Sequence, residues 1–129
     1  VPVLRNESIT VDGLVNIAGI NDYEFENPQA VEKALSGTDP SLPVLFMSHR
    51  PEAFDIASRT GKSIIQFSGH THAGQIPPIE VIRRLMKYNY GLYENKDSKM
   101  YVTSGVRWWG PPMRLANTSE IAVINLVKR

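Results

Sequence analysis

Cysteine is absent from all 129 residues, so neither a disulfide framework nor a thiolate zinc site is available. No sign of charge dominates. Fourteen Lys and Arg face thirteen Asp and Glu, and a net charge of +1 is too small for the broad basic field of a nucleic-acid-binding domain. The longest apolar runs are strand length, so none spans a membrane and none reads as a signal peptide. Histidine is scarce, and all three lie in two short turns, Ser48-His49-Arg50-Pro51 and Gly69-His70-Thr71-His72-Ala73-Gly74-Gln75. The sequence also lacks any Asp-x-His, Gly-Asp or Gly-Asn-His cluster that would add carboxylate or further ligands to a metal.

What is present suits a folded domain. Hydrophobic residues make up 42% of the chain, enough for a core within one domain of ordinary size. The chain opens at Val1-Pro2-Val3-Leu4 without an initiator methionine, in strand-like sequence, and reads as a piece of something longer. Asp12-Gly13 between two alternating runs predicts a β-hairpin. Asn27-Pro28 followed by Ala30, Val31, Ala34 and Leu35 predicts a capped helix that stops at Gly37. The run Val44-Leu45-Phe46-Met47 has no polar alternation and predicts a strand buried on both faces. Pro51 predicts a helix with Ala53, Phe54 and Ala57 inward, ending near Gly61, and residues 63–67 a second buried strand. A helical stretch carrying Val81, Ile82, Leu85 and Met86, a hairpin over 90–94 and 99–103, and a last strand over 121–127 complete the order. This mixture implies an α/β layered domain with a mixed sheet.

Both histidine turns follow a predicted strand, at the carboxyl end where ligands collect in α/β sheets. Neutral imidazole is a good ligand for zinc, manganese or iron. Gly69 and Gly74 flank the His-x-His pair and predict a backbone tight enough to aim both rings into one space. The other reading of these histidines is as polar turn residues. Asp22 is the acidic residue placed nearest the same rim. It either orders a ligand from the outer shell or closes an Asx turn, the commoner role.

Gly69-His70-Thr71-His72-Ala73-Gly74-Gln75 resembles the Gly-His-x-His signature of calcineurin-like binuclear metallophosphoesterases, and Ser48-His49-Arg50-Pro51-Glu52 resembles their upstream histidine turn. Tyr101-Val102-Thr103-Ser104-Gly105, Trp109-Gly110-Pro111-Pro112-Met113-Arg114-Leu115 and Glu120-Ile121 are similar to the bacterial membrane-associated subgroup. So are Leu4-Arg5-Asn6-Glu7 and Ile17-Ala18-Gly19-Ile20. The resemblance implies that His49 and His70 bind one divalent ion and His72 a second, each Mn, Zn or Fe. It implies hydrolysis of a phosphate ester, as by a phosphodiesterase, with water activated by two metals. It also implies a four-layer α/β/β/α sandwich, of which residues 1–129 are the C-terminal portion. The acidic motifs and the histidine that protonates the leaving group then belong to a missing N-terminal half, so the fragment alone is expected to be inactive. The family's bacterial subgroup implies a membrane-associated or extracytoplasmic location.

Two arginines are candidate substrate contacts. Arg50 follows a ligand directly, although a surface arginine at a helix start is the plainer reading. Arg114 follows a Gly-Pro-Pro turn, where a planar guanidinium suits a phosphate oxygen pair; the competing reading is a rigid packed loop. Arg83, Arg84 and Lys87 beside Val81, Ile82, Leu85 and Met86 admit peripheral contact with anionic lipid, although a solvated helix face explains them as well. Two further readings stand beside the hydrolase. One is a non-catalytic remnant or binding module of the same fold. The other is an oligomer, or an assembly completed by a separate chain.

Overall fold

In a computed structural model of the chain, residues 2–76, 78, 85–115 and 118–127 are described. They form one six-stranded mixed sheet in the order β1-β2-β3-β4-β6-β5, from β1 (Glu7–Val11), β2 (Val15–Gly19), β3 (Val44–Met47), β4 (Ile64–Ser68), β5 (Gly91–Asn95) and β6 (Ser98–Val102). Strands β2, β3, β4 and β6 run parallel, and a hairpin stands at each edge. The Asp12-Gly13 turn is as the sequence predicts. Both residues have positive φ, +51° and +64°, and Leu14 N–H donates to Val11 O at 3.0 Å.

Helix α1 (Pro28–Ser36) starts where Asn27 Oδ1 accepts from Gln29 N–H at 3.1 Å and ends at Gly37. A 3-10 turn, Pro51–Ala53, leads into the short helix α2 (Phe54–Ala57). Ala30, Val31, Ala34 and Leu35 of α1 and Ala53 and Ala57 pack on Ala18, Val44, Phe46 and Ile64. Phe54 joins Tyr88, Met100 and Val102 in a second cluster. The core therefore lies on one face of the sheet, a helical layer on a sheet layer.

The opposite face is less covered than the sequence predicts. Leu45 is only half-buried and Met47 is exposed, so β3 is sealed on one side alone. Register aligns Ile17, Leu45 and Ile65 across this face, with Met47, Phe67 and Tyr101 in the next row. The alternation of burial along β4 confirms the asymmetry: Ile64, Gln66 and Ser68 are buried, Ile65 and Phe67 half-buried.

Residues 121–127 do not form the predicted strand. Glu120 ties this segment to the sheet, accepting from Thr103 Oγ1 at 2.8 Å, Ser104 N–H at 3.1 Å and the hydroxyls of Tyr90 and Tyr101. The strand beside that tether, β6, has both its edges filled by β4 and β5, and residues 121–127 do not pair with the outer edge of β5 either. Ile121 and Val123 are consequently exposed. Of the predicted helix over 81–86, residues 81–84, with Arg83 and Arg84, lie outside the described residues. Leu85 and Met86 are exposed turn residues. No helix among the described residues is long and apolar enough to cross a membrane.

Candidate metal centre

Because four strands are parallel, their carboxyl ends meet on one rim, and the backbone ladder continues a step past the strands. Ile20 N–H donates to Met47 O, Ser48 N–H to Phe67 O, Gly69 N–H to His49 O at 3.0 Å, and Thr103 N–H to Ser68 O. The Gly69 to His49 bond sets the two histidine turns side by side. His70 Nδ1 lies 3.2 Å from His49 Nε2, with the rings edge to face at a 5.0 Å centroid distance. His72 lines the same open cleft of about 530 Å³, as do Asp22 and Trp109. Among the described residues, no three of His, Asp and Glu stand close enough together to hold a metal ion.

The left-handed backbone falls where the sequence does not announce it. His70, His72 and Ala73 have φ of +67°, +51° and +45°, and Gly74 has +64°. Gly69 is not left-handed, and a Cβ there would meet only Thr103 Cγ2 at 3.9 Å. The histidines therefore share with Gly74 the left-handed conformation expected of the flanking glycines, a strained arrangement typical of sites that aim side chains. Gly69→Ala is expected to change stability by less than about 0.5 kcal/mol, whereas Gly74→Ala should cost about 1–2 kcal/mol. Urea denaturation of both variants measures the contrast, and equal losses would contradict it.

Burial and the positive Arg50 guanidinium hold the His70 pKa below its ordinary value. Burial and Arg114 do the same for His72, against a backbone hydrogen bond with Arg107. Both rings are thus neutral at neutral pH, the form that ligates metal. The Arg50 side chain is 34% exposed and has three neighbours. Its Nε donates to Asp22 Oδ1 at 3.3 Å, its guanidinium lies 4.8 Å from the centre of the Phe25 ring, and Nη1 stands 3.3 Å from His70 Nε2. A guanidinium only donates, so His70 Nε2 accepts, and Nδ1–H points at His49 Nε2. Asp22 thus lies on the same rim, ion-paired with the arginine that touches His70. Arg114 Nη2 donates to the carbonyls of Ser104 at 2.8 Å and Gly105 at 3.2 Å, and to Arg107 O. It ties three carbonyls of its own loop together.

Gln75 is the residue that sequence reasoning passes over. Buried at the end of the histidine turn, its Oε1 accepts from Trp109 N–H at 2.6 Å, and its Nε2 donates to Trp109 O at 2.6 Å and Pro111 O at 3.3 Å. Its presence in the Gly-His-x-His stretch is the only sequence signal, because the partners lie 34 and 36 residues away.

Curated proteins of similar sequence decide the family. A Helicobacter pylori protein named an uncharacterized metallophosphoesterase is 34% identical over 133 residues, 98% of this chain and 36% of its own length. A Danio rerio protein named a transmembrane protein with metallophosphoesterase domain is 39% identical over 119 residues, 85% of this chain and 27% of its own length. The chain belongs to the calcineurin-like metallophosphoesterase family. A further relative, named UDP-2,3-diacylglucosamine pyrophosphatase in Chlamydia muridarum, is 34% identical over 74 residues, 57% of this chain and 22% of its own. This metallophosphoesterase chain spans about a third of the length of the first curated relatives it matches. No protein-family model matches it, and no solved structure does.

Proposed function

We propose that this chain supplies the histidine half of a two-metal centre in a protein that hydrolyses phosphate esters, phosphodiesters in particular. His49 and His70 would hold one cation and His72 the other. The observation that carries this reading is the 3.2 Å approach of His70 Nδ1 to His49 Nε2. Two nitrogens each bonded to one cation at about 2.0–2.1 Å stand that far apart when the angle between them is about 100°. The donor set fits: neutral nitrogens on a polar rim, with imidazole compatible with Mn, Zn or Fe. Two such cations, when bound, supply Lewis acidity and lower the pKa of the attacking water.

The chain's own residues account for orientation. With His70 Nδ1 given to a cation, the ring proton would sit at Nε2. Arg50 would then face a donor with a donor, and its guanidinium would turn to an acceptor such as a phosphate oxygen, still guided by Asp22 and Phe25. Arg114 would act on phosphate through the loop it braces. Carboxylate ligands and the acid for the leaving group are assigned to a preceding segment, which would also cover the half-exposed row of Ile17, Leu45 and Ile65. The greater length of the relatives supports this, and the transmembrane name of one supports membrane association.

Calorimetric titration with Mn²⁺ and Zn²⁺ tests the division of the site. The 129 residues alone should bind weakly and take up fewer than two cations per chain. A protein that includes the preceding segment should bind two. Tight binding of two cations by the isolated chain would refute the half-site reading.

A further inference from the structure

We propose that the cleft holding the histidines has a second compartment, walled by Trp109, Ile76 and Met86, that receives the organic group of the ester. The natural substrate would then be a phosphate ester of an apolar alcohol. The inference rests on the phosphoesterase reading and specifies its substrate class. The three apolar residues and the three histidines line one continuous cleft of about 530 Å³, within the range of pockets that enclose a whole small-molecule ligand. Among the described residues, its remaining polar side chains are Asp22, Thr71 and Gln75, and the Gln75 amide is committed to the loop.

Trp109 is 66% exposed, yet its backbone is fixed. Gln75 grips its peptide at both the N–H and the C=O, and Leu115 N–H returns to Gln75 O at 2.9 Å. Gln75 lies three residues from His72, so one turn sets both the ligands and the indole wall. An exposed indole on a rigid loop beside a cleft offers a large apolar surface with little entropy to lose on binding. Met86 adds an adaptable apolar side chain to the same wall.

The test uses the Mn²⁺-loaded full-length protein and 4-nitrophenyl phosphodiesters whose second alcohol is methyl, butyl or octyl, the leaving group being constant. kcat/KM should rise about tenfold from methyl to butyl, as for three methylenes half removed from water. Trp109→Ala should bring the butyl-to-methyl ratio to about two or below, and Trp109→Phe should keep most of it. A wild-type ratio near one, or an unchanged ratio in Trp109→Ala, would overturn the apolar subsite while leaving the hydrolase intact. Failure to hydrolyse even the methyl ester would overturn the phosphoesterase reading, and this inference with it.

Discussion

His70→Ala in the Mn²⁺-loaded full-length protein should lower hydrolysis of bis(4-nitrophenyl) phosphate by about a thousandfold or more. The variant removes one of two facing nitrogens and leaves His49 Nε2 without its neighbour at 3.2 Å. Losing a cation that contributes several kcal/mol to the transition state corresponds to a factor of that size, at about 1.4 kcal/mol for each tenfold. The fold should survive. His70 sits on the rim outside both core clusters, and Arg50 keeps Asp22 and the Phe25 ring when the imidazole is gone. Alanine at a φ of +67° bears the same Cβ strain as the histidine it replaces, so Tm should move by no more than a few degrees. Full turnover by the variant, or by the wild type in excess chelator, would sink the mechanism.

Gln66→Glu should destabilise the chain by about 3 kcal/mol or more near neutral pH, a large fraction of the roughly 5–15 kcal/mol that holds a domain folded. Gln66 is fully buried on β4. Its Nε2 donates to Pro51 O at 3.2 Å and Ser68 Oγ at 2.9 Å, and lies 3.4 Å from Met100 Sδ. A carboxylate has no N–H to give, so Pro51 O would face a buried charge with no cation beside it. Gln66→Met, which fills similar space, should cost only about 1 kcal/mol. The two variants also part in pH dependence. Burial raises the folded-state pKa of the new glutamate above its unfolded value, so its charge penalty is absent below the unfolded pKa. The penalty grows as pH climbs and is complete once pH passes the folded pKa. Urea midpoints measured from acid to neutral pH should fall steadily for Gln66→Glu relative to Gln66→Met. Parallel curves would show that the amide is not the anchor described. Pro51 and Ser68 each adjoin a histidine turn, so the same anchor keeps His49 and His70 in reach of each other.

Where structure follows from short-range chemistry, the sequence is a reliable guide. Asn27, Pro28 and Gly37 bound α1 because capping is settled within a few residues, and Asp12-Gly13 makes its turn because positive φ is a property of the residue itself. The histidine turns are legible for a related reason: their position after buried strands already implies the shared rim. What escapes depends on distant partners. Nothing near Ile121 reveals that this segment is tied down by Glu120 without joining the sheet, so apolar alternation reads as a strand. Nothing near Val44 reveals that helices cover only one face of β3. The glycines at 69 and 74 suggest where the chain bends, but only Gly74 is left-handed, and His70, His72 and Ala73 share that conformation without a glycine's freedom. Gln75 looks like an ordinary polar residue until Trp109 folds back on it.

The parallel arrangement of β2, β3, β4 and β6 also sorts the connections by edge. The turns at Asp12-Gly13 and Lys96-Asp97 and the loops over 38–43 and 61–63 all gather at the end of the sheet away from the imidazoles. A spectroscopic label, an affinity tag or a permuted terminus inserted at Lys96-Asp97 would leave the chemistry undisturbed, making that end a natural handle for immobilising or tracking the protein.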